Sequence, residues 1–274
     1  ANSLTTLTTA GNVFQTTPNN LDATLAQESF DSLAVNNPQA ATGGGNGDSV
    51  EDLRKNSLAS YASQLRSVTQ DDYLVRALSM PSQYGSLAKA YIEPQKADNL
   101  LPGEASSVLD LYVLAYNNET QFTTSTPTLK QNLSTYLSQY RVINDSIRIK
   151  DAFIINIGVK FDIVVLPNFN SNEVLSKCIS SLKTYFNNKN MQINQPLLLS
   201  ELYALLGYSN QIRGVQNVKN IEIVNKVGVS KGYSQYAYDI KGATQNGVVY
   251  PSQDPSIFEV KYPNVDIKGR VVPL

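Results

Sequence analysis

The clearest pattern in the chain lies between Phe153 and Val165, where Phe153, Ile155, Ile157, Val159, Phe161, Ile163 and Val165 alternate with Asn156, Gly158, Lys160 and Asp162. A period of two puts all the odd positions on one face of an extended strand, so the pattern predicts a long strand with one buried face and one that is at least partly wet. Upstream, Thr126 followed by Pro127 reads as a helix start: the Thr hydroxyl can accept a free backbone N–H, and Pro at the first helical position has no N–H to leave unpaired. Leu129, Leu133, Tyr136, Leu137 and Tyr140 then form an apolar stripe. Downstream, Ser171 opens a second helix with Leu175, Cys178, Ile179, Leu182 and Phe186 on one side. A third follows Pro196, carrying Leu198, Leu202, Leu205 and Leu206 and stopping at Gly207. The chain then turns to strand through Val215, Val218, Ile221 and Ile223. Helix, strand, two helices, strand over residues 126–225 predicts helices laid on one face of a small sheet.

The first half is patterned more weakly. Residues 1–36 are rich in Thr, Asn and Ala with scattered Leu, Val and Phe, which favours extended structure over a sustained helix. From Val50 a helix is expected, with Leu53, Leu58, Tyr61, Ala62 and Leu65 on one face and Glu51 placed to pair with Lys55. Thr69 and Asp72 form a second helix-opening box, Asp71 and Asp72 complement the helix dipole, and Pro81 ends that helix. Strands are expected around Tyr84–Ile92 and Val108–Tyr116. After Val227 the chain holds Val248, Val249, Tyr250, Ile257, Phe258, Val260, Tyr262, Val265 and Ile267, cut into short extended pieces by Pro251, Pro255 and Pro263. The expected fold class is α+β: two helix-on-sheet domains, residues 1–120 and 121–226, with a β-rich extension over 227–274.

Asn37 to Arg54 reads NPQAATGGGNGDSVEDLR. Asn-Pro favours a turn, Gly43, Gly44, Gly45 and Gly47 supply a loose hinge loop, and Ser49 with Asp52 opens a helix. Neither G-x-x-x-x-G-K-[ST] nor G-x-G-x-x-G fits, so the loop does not read as a phosphate cradle. Asn-Pro, paired glycines and Ser-x-Glu-x-Leu-Arg resemble the baseplate J-like family of contractile tails. Gly214-Val215, just before the closing strand, matches the same family, and the likeness runs over roughly residues 36–225. The resemblance implies a structural subunit of a phage baseplate wedge that associates with itself into a ring, contacts other wedge proteins and rearranges as the sheath contracts. It also implies a virion location after assembly in the host cytoplasm. Because such wedge proteins are longer, it further implies a carboxyl-terminal fragment.

Composition narrows the chemistry. The 274 residues include no His, no Trp and one Cys, Cys178, which excludes a Ser-His-Asp or Cys-His centre, a His-containing metal cluster and an internal disulfide. No enzyme activity, cofactor or metal is expected. Ser180-Ser181-Leu182-Lys183 fits S-x-x-K, but it falls inside an amphipathic helix and lacks its companion strings. A net charge of −1 with 16% charged residues argues against nucleic acid as a partner, and no apolar run is long enough to span a bilayer. Cys178 is expected to be a core thiol. Among sixteen tyrosines, Tyr233, Tyr236, Tyr238, Tyr250 and Tyr262 cluster where no core pattern claims them. Tyr joins apolar area to a hydrogen-bonding tip, so this region suggests a subunit interface at Tyr250, Ile257, Phe258, Val260 and Tyr262. The alternative is a receptor- or carbohydrate-binding tail module.

Overall fold

A computed structural model describes residues 66–95, 108–117, 120–207 and 212–273, together with Val50, Arg54 and Ser57, which are helical. The amino-terminal segment, the loop of Gly43, Gly44, Gly45 and Gly47, and the apolar stripe expected after Val50 lie outside the described residues. The fold is α+β.

The first sheet is built on strand β2 (Val108–Tyr116). Strand β1 (Lys89–Pro94) pairs antiparallel along one edge, while β3 (Phe122–Thr123, antiparallel) and β4 (Ser146–Asp151, parallel) share the other. Helices α1 (Gln70–Leu78) and α2 (Pro127–Ser138) belong to this sheet. Both start as their sequences predict. The Thr69 hydroxyl accepts from Asp72 N at 3.2 Å while the Asp72 carboxylate accepts from Thr69 N at 2.9 Å, and the Thr126 hydroxyl accepts from Leu129 N at 3.3 Å. Their buried residues, Tyr73 and Ala77 on α1 and Leu129, Leu133 and Leu137 on α2, pack with Leu111, Val113 and Ala115 of β2.

The second sheet is built on β5 (Phe153–Val165), whose bounds match the alternating pattern. β7 (Val215–Asn225) pairs antiparallel along one edge. Along the other, β10 (Ser256–Glu259) and then β11 (Ile267–Val271) both run parallel to it, joined through the short helix α5 (Pro263–Asp266). Helices α3 (Ser171–Tyr185) and α4 (Leu199–Gly207) bring Val174, Cys178, Leu182, Leu202 and Leu206 against Ile157, Val159, Phe161 and Ile163. Chain entry to β7 depends on Gly214, which sits at φ +105; a Cβ there would come within 2.8 Å of the Phe169 ring and 2.9 Å of Val174 Cγ2. A third, small sheet is formed by β6 (Leu197–Leu198), β8 (Thr244–Gln245) and β9 (Val248–Val249).

The packing groups the chain differently from the divisions read in the sequence. Helix α2 and strand β4, both beyond residue 120, pack in the first core. The extension after 227 is not a separate layer, because Ile257, Phe258, Val260 and Ile267 are buried in the core of the second sheet. The two cores meet at β2: Tyr112 and Leu114 alternate with Leu111, Val113 and Ala115 and point into the second core.

Candidate functional site

The two sheets join around a carboxylate. Glu259, on β10, is fully buried. Its Oε1 accepts from Phe122 N of β3 at 2.7 Å and from Asn188 Nδ2 at 3.1 Å, and its Oε2 accepts from Asn156 Nδ2 of β5 at 2.7 Å. Asn156, also buried, accepts at Oδ1 from Ser234 N at 2.6 Å and thereby holds the loop after β7. Burial pushes the Glu259 carboxyl above its ordinary value, outweighing these hydrogen bonds and the nearby Lys261 charge. A second buried carboxylate, Asp266, accepts from Tyr233 Oη at 2.7 Å and Tyr262 N at 3.0 Å, with Lys226 Nζ at 3.7 Å. Both carboxylates have their oxygens committed to the chain's own groups, so the arrangement fastens sheets and loops together.

Two surfaces and a recess lie on the two sheets. One is a cleft of about 340 Å³ whose lining includes Tyr116, Gln121, Lys183, Asn188, Lys189 and Lys261. The other is the open half of the second sheet, where Lys160 faces Glu222 at 3.6 Å and Asp162 takes both guanidinium bonds of Arg270, at 2.6 and 2.8 Å. A recess next to Asn156 is bordered by Phe122, Ile154, Tyr233 and Tyr236.

The residues singled out in the sequence fall as follows. Ile257, Phe258 and Val260 are 1%, 2% and 3% exposed and belong to this chain's own core, so they are not available at its surface. Their apolar character is explained by the pairing of β10 with β5. Tyr250 is 48% exposed. Tyr262 is half-buried and packs edge-on against Tyr233 at 5.4 Å. Tyr233 is tied to Asp266, and burial together with that carboxylate pushes its hydroxyl up to about 12. Tyr238 donates to the Tyr250 carbonyl at 2.8 Å and leans on Phe258, and Tyr236 packs edge-on against Phe153 at 4.8 Å. Cys178 is buried, and desolvation pushes its thiol up to about 11, the inert end of thiol chemistry. Ser180 lies on the exposed side of α3, and the Lys183 amine bonds Asn264 Oδ1 at 2.7 Å. Asp72 is engaged in capping, and its carboxyl is held below the usual range by the Thr69 backbone bond. Among the described residues, no group of three or more His, Cys, Asp or Glu is placed to hold a metal ion, and no helix is long and apolar enough to cross a membrane.

Sequence reasoning missed the Glu259 network and the lysine cleft. A lone Glu in Ser-Ile-Phe-Glu-Val carries one local signal, a charge inside an apolar run; its three donors come from distant parts of the chain.

No known sequence family matches this chain, nor does any curated protein. Among solved structures, the chain is similar to one in the cryo-EM structure of the anti-feeding prophage baseplate, 6-fold symmetrised, with a TM-score of 0.49 and 11% identity, over 77% of this chain and 42% of that one. The chain therefore spans less than half the length of that structure's chain.

Proposed function

We propose that this chain is a structural subunit of a contractile-tail baseplate, working through its surfaces and hinges. The observation that carries the reading is that α2, β5, α3, α4 and β7 follow in the order behind its family resemblance, the last four sharing one core, and that β7 is entered through Gly214-Val215 at a position where only glycine fits. The finer reading is a wedge subunit similar to the protein encoded by gene 6 of T4-like phages, of which this chain would be a carboxyl-terminal part. In that reading it associates with itself into the baseplate ring, contacts other wedge proteins and shifts position as the sheath contracts. It assembles in the host cytoplasm and ends in the virion, Gly43, Gly44, Gly45 and Gly47, outside the described residues, are the proposed hinge, and exposed Tyr250 lies at a subunit contact. No chemistry is required of it, because folded units exchanging interfaces suffice for such a change.

The carbohydrate-binding alternative is weaker. A glycan site needs a concave aromatic wall with free polar groups, whereas Tyr233, Tyr238 and Tyr262 are engaged in hydrogen bonds or ring contacts within the chain. Immunoelectron microscopy of contractile tails from the host that encodes this chain tests the proposal. Label confined to the baseplate end is expected; label on tail fibres, or none on purified tails, would overturn it.

A further inference from the structure

The cleft beside Glu259 collects positive charge that no ion pair at its wall offsets. Lys183, Lys189 and Lys261 reach it from three different places: the last turn of α3, the turn that follows it, and the residues after β10. Five other lysines are ion-paired, in Lys130–Asp151, Lys150–Asp110, Lys160–Glu222, Lys177–Glu173 and Lys226–Asp266, while Lys219, Lys231, Lys241 and Lys268 stand singly at exposed positions rather than converging on one concave wall. The three cleft lysines make no ion pair among the described residues, and no carboxylate lines the cleft. The nearest acid, Glu259, is sealed beneath it with both oxygens occupied. Buried Lys89, whose hold on its proton is weakened by burial, donates to the Lys189 carbonyl at 2.8 Å and fixes the backbone that carries Lys189. In a chain whose net charge is −1, this is a local reversal of sign inside a concave wall, the geometry that concentrates field and draws in anions.

The wall also indicates which anion. Two of its amides are spent on holding the cleft's shape: Asn188 Nδ2 donates to the Thr120 carbonyl at 2.9 Å as well as to Glu259, and Gln121 Nε2 donates to the Lys261 carbonyl at 3.3 Å; a third, Asn187, accepts at Oδ1 from Lys189 N at 3.0 Å. No arginine lines it, so no planar fork is available for the bidentate grip that a single phosphate or carboxylate group favours. What remains is ammonium point charges set on separate elements around about 340 Å³, Lys183 steadied by Asn264 Oδ1 at 2.7 Å, which suits several carboxylates spaced along one chain better than one compact ion. We propose that this cleft receives an acidic peptide segment of a partner protein. Because its walls come from β2 and the turn after it, from α3 and from the residues after β10, an occupant would brace the two sheets against each other. The inference does not depend on the baseplate reading, since its test needs no tail component.

Fluorescence anisotropy of a labelled hexaglutamate peptide, titrated with the full chain at low salt, tests it. Saturable binding is expected, with none for hexaglutamine. The double variant Lys189→Gln/Lys261→Gln should weaken binding about tenfold or more, and Lys241→Gln, at an exposed lysine outside the cleft, should leave it unchanged. Added salt should weaken it, as screening requires. Failure to bind hexaglutamate, equal binding of hexaglutamine, or equal loss in Lys241→Gln would each overturn the proposal. Full displacement by inorganic phosphate at concentrations equimolar with the peptide would also overturn it, by assigning the cleft to a small anion. Circular dichroism of the double variant, matching the parent, secures the comparison.

Discussion

Strands β2 and β5 have the same plan. Each is the centre of its sheet, with one antiparallel partner along one edge and two shorter strands sharing the other. Their faces differ. β2 is covered on both sides, by α1 and α2 on one and by the second core on the other, so six consecutive residues from Asp110 to Ala115 are buried. β5 is covered by helices on one side only; on the other, the loop after β7 hides Asn156, but Lys160 and Asp162 stand in an open, charged field. The contrast separates strands that hold the molecule together from a strand that also presents a surface. Even the one charge on β2 follows the rule: burial alone would raise the Asp110 carboxyl, but bonds from Lys150 at 2.8 Å and Arg148 at 2.8 and 3.1 Å outweigh it and keep it below its usual range.

The strongest way to break this comparison is to remove the short strands from β5. Ending the chain at Asn246 deletes β10 and β11, exposes one whole edge of β5 and strips Ile257, Phe258, Val260 and Ile267 from the core. Loss of the cooperative unfolding transition is expected in calorimetry. A segment that served only as a subunit interface, as its sequence suggests, would leave the shortened chain folded, and a sharp transition in it would restore that view.

Next is a direct test of the two faces of β2. Leu114→Ala, on the face opposite the helices, should cost about 2–5 kcal/mol in denaturant unfolding, the range for a fully buried leucine, and Leu111→Ala on the helix face should cost a similar amount. If either were neutral, β2 would have a free face as β5 does.

Glu259 sharpens the comparison at the junction. Its folded carboxyl lies above the ordinary 4.5, so the folded protein holds this proton more tightly than the unfolded chain. The stability it contributes is therefore fully present below pH 4.5 and is lost as pH rises through the raised folded value. Asp72 and Asp110 act in the opposite sense and in a lower window, since their folded carboxyls lie below 3.8 and their contributions fade only as pH falls through those values. Glu259→Gln should flatten the decline above pH 4.5, read as the difference in urea midpoint between variant and parent across that window. Parallel curves would mean that Glu259 is solvated when folded.

The smallest effect is expected on the open face. Arg270→Ala removes a two-bonded partner of Asp162, yet the Arg270 side chain is 74% exposed, and such pairs contribute about 1 kcal/mol or less. A loss of several kcal/mol would show that this half of β5 is covered after all.

How much of this was legible in the sequence depended on how local the cause was. β5, α1, α2, α3 and α4 follow from period and capping within a few residues, and Thr69, Asp72 and Thr126 act as their neighbours predict. β4 was readable in principle, because Ile147 and Ile149 alternate with Arg148 and Lys150, but the strand is short, its charges face Asp110, and the longer pattern after it draws the eye. The division into domains was not readable: the parallel pairing of β10 with β5 joins residues such as Asn156 and Glu259, 103 positions apart, and no local pattern records it. The same pairing explains why Ile257, Phe258 and Val260 suggested an interface. Their apolarity was real, and its cause was the chain's own core.

Sedimentation velocity most directly tests the central claim that this chain acts by assembly. The full chain would be run over a range of concentrations, alone and mixed with baseplate proteins of the same tail. The account predicts species heavier than the 30.0 kDa chain, in the mixture at least, with mass added in whole-subunit steps. A single 30.0 kDa species at every concentration and in every mixture would contradict it.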